Sequence, residues 1–233
     1  MIDGVPTSWG GVVVAAGRSE RYGASDKLLL DLSGRAVISW SIRAILSDRR
    51  IRQLALVGST SNIDALRKIV RSEYSDCSII VCQGGDTRSE SVRNGIDALE
   101  PNISHVAIHD GARPLVTCLL VSRVLDAATN RGAAVPAVHP SSSIGVAGSD
   151  GKTLAGTLDR SRLREMQTPQ AAARRFLNDA LDRFSNETDE SAALFRAGYE
   201  VALVDGESSN IKITMPSDFP VAAALLAHRA GCD

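Results

Sequence analysis

The sequence predicts an α/β fold, with a largely parallel sheet and helices on both of its faces. Short β-rich runs alternate with segments of helical spacing from residue 12 to residue 138, and this alternation implies right-handed crossovers between parallel strands. The chain has 233 residues, of which 44% are hydrophobic, so one large domain with a sizeable core is expected. Ligands bind such sheets at the carboxyl ends of the strands. The loops after Ala15, Cys82 and His109 are therefore expected to share one edge.

The first part of the chain supplies five strands and four helices. Apolar residues recur at helical spacing in Ala36–Ser47, and Ser61 or Asn62 suits the N-cap of the following helix. The predicted strands are Val12–Ala15, Gln53–Val57, Ser78–Cys82, His105–His109 and Ala133–Val138, and the predicted helices are Ala36–Ser47, Ile63–Arg71, Arg88–Leu99 and Leu119–Thr129.

The alternation is interrupted after Val138. Ser141–Leu158 is rich in Ser and Gly, with two β-like runs around a Ser-Asp-Gly turn at residues 149–151, which predicts a hairpin outside the main sheet. We expect residues 1–233 to form one domain and residues 139–160 to form a β-arm, which is either a mobile flap or an arm that packs on another subunit. Beyond it the predicted elements are helices at Ala171–Phe184, Glu190–Ala197 and Ser217–His228 and a strand at Tyr199–Val204.

Composition excludes several classes of function. The formal net charge is −1, so the overall field does not favour nucleic acid or an anionic membrane. No apolar run is long enough to span a bilayer, and residues 1–10 lack the pattern of a secretory signal, so we expect a cytoplasmic protein. The four cysteines (Cys77, Cys82, Cys118 and Cys232) form no CxxC pair. They are expected to be mostly small core residues in a reducing compartment, with Cys232 exposed.

The segment Gly11–Lys27 has the composition of a phosphate-binding loop. A short apolar run ends in Ala15-Ala16-Gly17, and basic residues follow at Arg18, Arg21 and Lys27. Small residues let backbone N–H groups approach phosphates, and Arg and Lys supply charge. The segment matches neither GxGxxG nor GxxxxGK[ST], and the alternative is an ordinary strand-to-loop connection.

A second loop, Gly84–Val92, joins a predicted strand to a helix. Two glycines allow positive φ and close backbone approach to a flat base, and Ser91 has a hydroxyl for a base edge. The alternative is a turn in which Thr87 caps the helix and Glu90 completes a capping box. Both hold together if the capped helix start also receives an anion.

A third loop, His109–Pro114, follows a strand. A carboxylate at a strand end, Asp110, suits Mg²⁺, which takes few protein ligands, and Arg113 suits a phosphate. The alternative is an Asp-Gly turn with a surface Arg, and His109 is expected to be a structural hydrogen-bond partner.

Three further segments carry weaker signals. Gln167–Gln170 lies just beyond the arm, and Thr188-Asp189-Glu190 is typical of a capped helix start with acids favoured by the helix dipole. Asn210–Thr214 is predicted to be extended, with Lys212 reaching a phosphate or, alternatively, lying on a solvated strand face.

Taken in order, these motifs resemble 2-C-methyl-D-erythritol 4-phosphate cytidylyltransferases over essentially the whole chain. The resemblance implies a Rossmann-like nucleotidyltransferase fold, a projecting β-arm that makes a homodimer, and Mg²⁺ as cofactor. It implies transfer of a cytidylyl group from CTP to the sugar phosphate, with release of pyrophosphate, in the non-mevalonate route to isoprene units. The motifs that carry it are Ala15-Ala16-Gly17, Arg21, Lys27, Gly84-Gly85-Asp86, His109–Pro114, Thr168-Pro169-Gln170, Thr188-Asp189-Glu190 and Asn210–Thr214.

The resemblance also implies roles for individual residues. Arg21, Lys27 and Lys212 would be catalytic, Asp110 would hold the metal, and Arg160 would arrive from the partner subunit. The CTP site would be formed by Ala15, Ala16, Gly17, Gly85, Asp86 and Ser91, and the sugar-phosphate site by Arg113, Ser141, Arg160 and Thr168.

The chain departs from the family pattern at three places. Val14 and Ser19 replace the usual Pro and Gly around Ala-Ala-Gly, and Asp26-Lys27-Leu28 replaces Pro-Lys-Gln. The usual Asp-Thr-x-Lys is replaced by residues 139–143, His-Pro-Ser-Ser-Ser, in which Ser141 supplies a hydroxyl but no Lys is present. Two alternatives therefore stay open. One is a sibling enzyme for another sugar-alcohol phosphate such as ribitol 5-phosphate, and the other is a non-catalytic nucleotide-binding relative, which the retained basic and acidic residues disfavour.

Overall fold

A computed structural model describes residues 7–17, 22, 26–187 and 189–230. The strands are β1 (Trp9–Ala15), β2 (Asp31–Leu32), β3 (Arg35–Ala36), β4 (Ile51–Gly58), β5 (Ile79–Gln83), β6 (His105–Asp110), β7 (Ala133–Val138), β8 (Ile144–Ala147), β9 (Leu154–Leu158), β10 (Glu165–Met166), β11 (Gln170–Ala173) and β12 (Ala202–Asp205). The helices are α1 (Val37–Leu46), α2 (Ile63–Glu73), α3 (Arg88–Ala98), α4 (Cys118–Arg131), α5 (Arg174–Arg183), α6 (Glu190–Arg196) and α7 (Asp218–Ala230), with 3-10 turns at Lys27–Leu29 and Arg160–Arg162. None of the helices in these ranges combines the length and apolarity needed to cross a membrane.

The main sheet has eight strands in the order β10-β7-β11-β6-β1-β4-β5, with β12 beside β7. β1 pairs in parallel with β4 and β6, β4 with β5, and β12 with β7, whereas β10 and β11 run antiparallel to their neighbours. The predicted mostly parallel α/β sheet is therefore confirmed, with β1 near its centre. Because β1, β4, β5 and β6 point the same way, their following loops meet at one edge.

The core lies on both faces of the sheet. Neighbouring residues of β1 and β4 point to opposite faces of the sheet. Val13 and Leu56 belong to the core cluster that includes α1, α2, α4 and α7, whereas Val12 and Val57 belong to the cluster that includes α3, α5 and α6. The four side chains are fully buried, which explains why these strands are continuous apolar runs rather than alternating ones. Helices on both faces are thus confirmed.

The structure corrects the predicted helix at Ala171–Phe184. Its first residues form β11, which is inserted between β6 and β7, and helix α5 begins only at Arg174. Alanine favours helix intrinsically, but Ala171, Ala172 and Ala173 are buried between two strands, where the small side chain and the ladder hydrogen bonds decide. The predicted strand at Tyr199–Val204 also begins later, at Ala202.

The predicted hairpin is present as the antiparallel pair β8–β9, which forms a sheet of its own. Its turn contains Gly151 at φ +65°, a conformation that favours glycine. Val146, Leu154 and Leu158 are exposed large apolar side chains on this hairpin. The choice between flap and subunit arm stays a prediction.

The cysteine expectation is wrong for two positions. Cys77 and Cys118 are exposed, and Cys82 is partly buried. Cys77 lies in the turn after α2 and Cys118 is the first residue of α4, so both stand at element ends rather than on core faces. Cys232 lies outside the described residues.

Candidate active site

A cavity of about 510 Å³ opens where the loops after β1, β5 and β6 meet. A fourth wall comes from residues 212 and 214, just before α7. The predicted convergence of the three loops is therefore confirmed. A cavity of this size suits a ligand as large as a nucleotide.

The first wall is the segment Ala15–Gly17 together with Lys27. Asn62, which is buried, donates from Nδ2 to the carbonyl of Ala15 at 2.9 Å and to Oδ2 of Asp26 at 2.7 Å. Asp26 in turn accepts from the backbone N–H of Leu28 at 3.0 Å and starts the 3-10 turn that contains Lys27. One amide therefore fixes both the end of β1 and the lysine beside it. Arg18, Arg21 and Ser19 lie outside the described residues.

The second wall is the Gly84-Gly85 loop and the start of α3. The capping box is confirmed, since Thr87 accepts from the N–H of Glu90 while Glu90 accepts from the N–H of Thr87. A Cβ at Gly84 would lie 2.6 Å from Cβ of Ala16, and one at Gly85 would lie 2.4 Å from Cβ of Glu90. The glycines are thus required for close approach, while positive φ, which the sequence also suggested, is not adopted at either position.

Ser91 orders this wall from within. Its hydroxyl donates to the carbonyl of Thr87 at 2.9 Å and accepts from the N–H of Gly85 at 3.2 Å. Ser91 and Asp86 both line the cavity.

The third wall ends in the carboxylate of Asp110, which is surrounded by cations. Nζ of Lys212 lies 2.8 Å from Oδ2, Nη2 of Arg88 lies 3.3 Å from Oδ1, and Nε of Arg113 lies 3.6 Å from Oδ2. The solvated strand face considered for Lys212 is therefore wrong, and its segment, residues 210–214, belongs to no strand.

Charge keeps Asp110 ionised although it is buried. Burial by itself raises the pKa of a carboxyl group, but Lys212, Arg88 and Arg113 together hold the pKa of Asp110 well below its usual range. The side chain is therefore an anion at neutral pH, available to a cation.

Arg88 connects this carboxylate to a second one. Its Nη1 and Nη2 donate to Oε1 and Oε2 of Glu190, the second at 3.0 Å, and Nη2 also donates to Asp110. Burial lowers the pKa of Arg88, but Glu190 and Asp110 raise it more, so the net shift is upward. Arg88 lines the cavity as a permanent cation.

Behind Asp110 lies a chain of hydrogen bonds through His109. The N–H of Asp110 donates to Oγ1 of Thr168 at 3.1 Å, Oγ1 lies 2.9 Å from Nδ1 of His109, and Nε2 of His109 lies 3.2 Å from the carbonyl of Arg113. Because the carbonyl of Arg113 can only accept, Nε2 of His109 carries the N–H, and in the neutral ring Nδ1 then accepts from the hydroxyl of Thr168. Burial lowers the pKa of His109 to about 4, which agrees with a neutral ring and with the structural role predicted for it.

The segment that carries Lys212 is fastened to the same loop. Nη1 of Arg113 donates to the carbonyl of Asn210 at 2.8 Å, and the N–H of Ile213 donates to the carbonyl of Ala112 at 2.9 Å. Asn210 is fully buried, and its Nδ2 donates to the carbonyl of Thr168 at 3.0 Å. These bonds hold Lys212 opposite Asp110.

The predicted site residues fall into four groups. The cavity is lined by Ala15, Ala16, Gly17, Lys27, Gly85, Asp86, Ser91, Asp110 and Lys212. Arg113 and Thr168 contact Asp110 from behind it and do not line it. Ser141 and Arg160 lie at the base of the arm, where Nη1 of Arg160 donates to the carbonyl of Ser141 at 3.2 Å. Arg21 lies outside the described residues, as does Thr188 of the Thr188-Asp189-Glu190 motif.

Sequence reasoning missed Arg88, Asn62 and the buried part played by Glu190. Arg88 stands inside a motif that was singled out for its glycines, and Glu190 stands in one interpreted as a helix start. A basic residue at the first position of a helix, where the dipole disfavours it, is the available signal for Arg88.

The carboxylate of Asp110 has the chemistry of a ligand for a hard divalent cation bound together with a polyphosphate. Within residues 7–17, 22, 26–187 and 189–230 no three His, Cys, Asp or Glu side chains form a metal-binding group. Mg²⁺ commonly takes only one or two carboxylates and completes its shell with substrate phosphates and waters. The ionised carboxylate of Asp110 at the cavity wall supplies such a ligand.

Comparisons with known proteins agree over most of the chain. The family model of 2-C-methyl-D-erythritol 4-phosphate cytidylyltransferase matches residues 11–228. Proteins of that name from Synechocystis sp. and Prochlorococcus marinus are 34% and 36% identical over 224 and 225 residues, covering 94% of this chain and 97% and 98% of theirs. The crystal structure of 4-diphosphocytidyl-2C-methyl-D-erythritol synthase from Anaerococcus prevotii has a TM-score of 0.83 at 26% identity, covering 95% of this chain and 99% of that one. The cytidylyltransferase from Thermus thermophilus has a TM-score of 0.74 at 29% identity, with 93% and 98% covered.

The neutral state of His109 predicts a pH dependence of stability. Its pKa is about 4 in the folded chain against a reference of 6.5, so between these values the unfolded chain binds a proton that the folded chain rejects. The free energy of unfolding should therefore fall as the pH drops from 6.5 to 4, by about 3 kcal/mol from this residue. Urea unfolding across this range should show a shallower fall for His109→Gln, while the exposed His228→Gln keeps the wild-type profile. Equal slopes for His109→Gln and wild type would contradict the assignment.

Proposed function

This chain belongs to the 2-C-methyl-D-erythritol 4-phosphate cytidylyltransferase family, which makes it a CTP-dependent nucleotidyltransferase, and we propose that the cavity beside Asp110 is its active site. The reaction transfers the cytidylyl group of CTP to 2-C-methyl-D-erythritol 4-phosphate and releases pyrophosphate, in the non-mevalonate route to isoprenoid precursors. The observation that carries the location is the convergence of Lys27, Lys212 and Arg88 with Asp110 on one cavity.

The charge of this cavity suits two anionic substrates. Lys27, Arg88, Lys212 and Arg113 are countered by the carboxylates of Asp86, Asp110 and Glu190, which leaves an excess of one positive charge. A triphosphate and a phosphate monoester are drawn to such a field, and repulsion between the two substrates is reduced when they meet in it.

The chemical step is in-line displacement at phosphorus. An oxygen of the acceptor phosphate attacks the α-phosphorus of CTP, the bond from that phosphorus to the bridging oxygen breaks, and pyrophosphate leaves. A phosphate monoester is already largely dianionic near pH 7, so no general base is needed, and neutral, buried His109 has no proton-transfer role. Catalysis then rests on positioning and on charge stabilisation.

The roles of the cations follow from where charge grows. Lys27 and Arg21 are proposed to stabilise the triphosphate as pyrophosphate departs, and Lys212 to contact the α-phosphate. Charge on the transferred and leaving oxygens rises in the transition state, so these groups contribute more to the chemical step than to binding.

The opposite part of the cavity is proposed to hold the nucleoside. Ala15, Ala16 and Gly17 line the same cavity as Gly85, Asp86 and Ser91, and the two walls approach closely at one point, since a Cβ at Gly84 would lie 2.6 Å from Cβ of Ala16. Donors and acceptors fixed in this way discriminate between cytosine, which has an exocyclic amino group, and uracil, which has a carbonyl there.

Asp110 is the proposed ligand of Mg²⁺. When bound, the ion would neutralise charge on the phosphates of CTP. Lys212, Arg88 and Arg113 keep the carboxylate ionised, and Thr168 fixes its backbone, so the ligand is held ready for a metal–nucleotide complex.

The acceptor side is proposed to be completed by a second copy of the chain. Arg160 and Ser141 are at the base of an arm with exposed Val146, Leu154 and Leu158, and an isolated two-stranded hairpin is marginally stable in water. A two-fold dimer in which each arm covers its partner would bury these side chains and bring Arg160 to the partner's sugar phosphate. Arg113 and Thr168, which the resemblance also assigns to that substrate, contact Asp110 from behind the cavity instead. We place this activity in the cytoplasm.

The first prediction concerns substrates. Pyrophosphate release should require Mg²⁺, CTP and 2-C-methyl-D-erythritol 4-phosphate together, and UTP or ribitol 5-phosphate should be used at least about a hundredfold less efficiently, because a site with fixed polar partners leaves them unpaired with the wrong group. Equal kcat/KM for UTP would remove the cytosine assignment, and equal kcat/KM for ribitol 5-phosphate would remove the acceptor. If no pyrophosphate is released with either 2-C-methyl-D-erythritol 4-phosphate or ribitol 5-phosphate, the result would favour a non-catalytic nucleotide-binding relative.

The second prediction concerns Lys27. Lys27→Met should lower kcat roughly a hundredfold, as loss of one charge-stabilising donor does, with a smaller change in the KM for CTP. Lys68→Met, on the exposed face of α2, is the matched control and should leave both parameters unchanged. A raised KM with an unchanged kcat would mean that Lys27 only binds substrate.

The third prediction tests the shared site. Arg160→Ala and Asp110→Asn subunits should each be nearly inactive and should regain partial activity when mixed and allowed to exchange, because one site of the mixed dimer then carries neither change. A monomer by light scattering at assay concentration, or no recovery after proven exchange, would leave the hairpin as a flap.

A further inference from the structure

The residues at the start of α6 have a second role besides capping the helix. Asp189 behaves as the sequence predicts, since its Oδ1 accepts from the N–H of Ala192 at 2.9 Å. Glu190, the first residue of α6, does not point to solvent as an acid serving the helix dipole would. Its side chain is 1% exposed.

The buried carboxylate of Glu190 forms an ion pair with Arg88, which lies 102 residues away in sequence. Both carboxylate oxygens accept from the guanidinium, Oε1 from Nη1 and Oε2 from Nη2 at 3.0 Å. The same Nη2 donates to Oδ1 of Asp110 at 3.3 Å. Arg88 is thus held between two carboxylates, one inside the protein and one at the cavity wall.

The position of Glu190 is itself fixed from the sheet. The N–H of Ser191 donates to Oε1 of Gln170 at 2.7 Å, and Gln170 is a buried residue of β11. Gln170 follows Thr168, which accepts the N–H of Asp110, within one short loop. The start of β11 and the residues just before it therefore contact the backbone beside both acids, at Ser191 and at Asp110. Arg88 bridges the two carboxylates that are positioned in this way.

The charge of Glu190 matters more than its shape. A guanidinium facing two carboxylates divides its attraction between them, whereas one facing Asp110 alone would neutralise that carboxylate and compete with a metal ion for it. Burying a carboxylate is costly unless it is paired. Burial raises the pKa of Glu190, and the bidentate contact to Arg88 opposes that rise and stabilises the charged form.

We propose that Glu190 is a positioning residue, which holds Arg88 and draws its charge away from Asp110, so that Asp110 remains able to bind the divalent cation of the nucleotide complex. This inference rests on the proposed function, in which Asp110 is the metal ligand. Glu190 touches neither substrate nor metal and acts through Arg88.

The test measures binding rather than turnover. The Kd of CTP is determined by calorimetry without acceptor, once with EDTA and once with saturating Mg²⁺, and the ratio of the two is the gain in CTP affinity that the metal provides. Glu190→Gln keeps the size of the side chain and removes its charge. It should lower this gain roughly tenfold, as loss of residues that orient a metal ligand does, while CTP affinity in EDTA is not weakened.

Matched variants separate this role from a structural one. Glu187→Gln breaks a carboxylate–arginine pair with Arg196 in the same region but on the outside of the molecule, and it should leave the gain at its wild-type value. Glu190→Asp keeps the charge but shortens the reach to Arg88, so it should lose part of the gain. This second variant also serves if Glu190→Gln proves unfolded in a thermal scan.

Asp110→Asn distinguishes a failure of the metal assignment from a failure of the role proposed for Glu190. If Asp110→Asn keeps the full metal-dependent gain, or wild type shows no gain, the metal assignment of the proposed function falls and this inference with it. If Asp110→Asn loses the gain while Glu190→Gln and Glu190→Asp keep it, Asp110 remains the ligand and only the role of Glu190 is overturned.

Discussion

The carboxylate of Asp110 is the interaction on which the rest of the site depends. It stands at the end of a central strand, and cations from three separate segments meet it, Arg88 from α3, Arg113 from the following loop and Lys212 from the approach to α7. Replacing a buried ion pair by apolar groups is often harmless, but removing one partner leaves an unpaired charge. These four side chains are consequently interdependent, because the loss of any one leaves a charge of the cluster with fewer partners.

A second layer of buried amides connects the loops that the charges cannot reach. Asn62 joins the end of β1 to Asp26, Gln170 joins β11 to α6, and Asn210 joins the last segment to Thr168. Each contact satisfies backbone groups that would otherwise be buried without partners. Loops are ordinarily the mobile parts of a protein, and these bonds help to hold the segments that form the walls of one cavity.

Local patterns made the sheet and much of the cavity predictable, while long-range pairing did not. The apolar run of β1, the Gly84-Gly85 loop and the Thr87 capping box are encoded within a few residues each, so the sequence alone locates them. The pairs Arg88–Glu190 and Asn62–Ala15 join residues 102 and 47 positions apart, and nothing near either residue in sequence announces the partner. The helix predicted at Ala171–Ala173 was wrong for the opposite reason. The local preference of alanine for helix is overruled because these residues pair with β6 and β7. The segment of Lys212 left two alternatives open, a phosphate contact and a solvated strand face, and only the family resemblance gave the lysine a catalytic role, since a single Lys in an irregular segment carries no pattern that decides between them.

The short contact between Lys212 and Asp110 also bears on how an inhibitor would have to be built. At 2.8 Å the two groups already satisfy each other, so a neutral molecule entering the cavity meets a closed ion pair that offers little further attraction. A polyanion carrying a metal ion would change this situation, because it would present a new anion to the lysine and a new cation to the aspartate at the same time. Compounds that imitate only the base or only the sugar forgo that exchange, whereas a zwitterionic group placed across the pair would reproduce both halves of it without carrying a triphosphate.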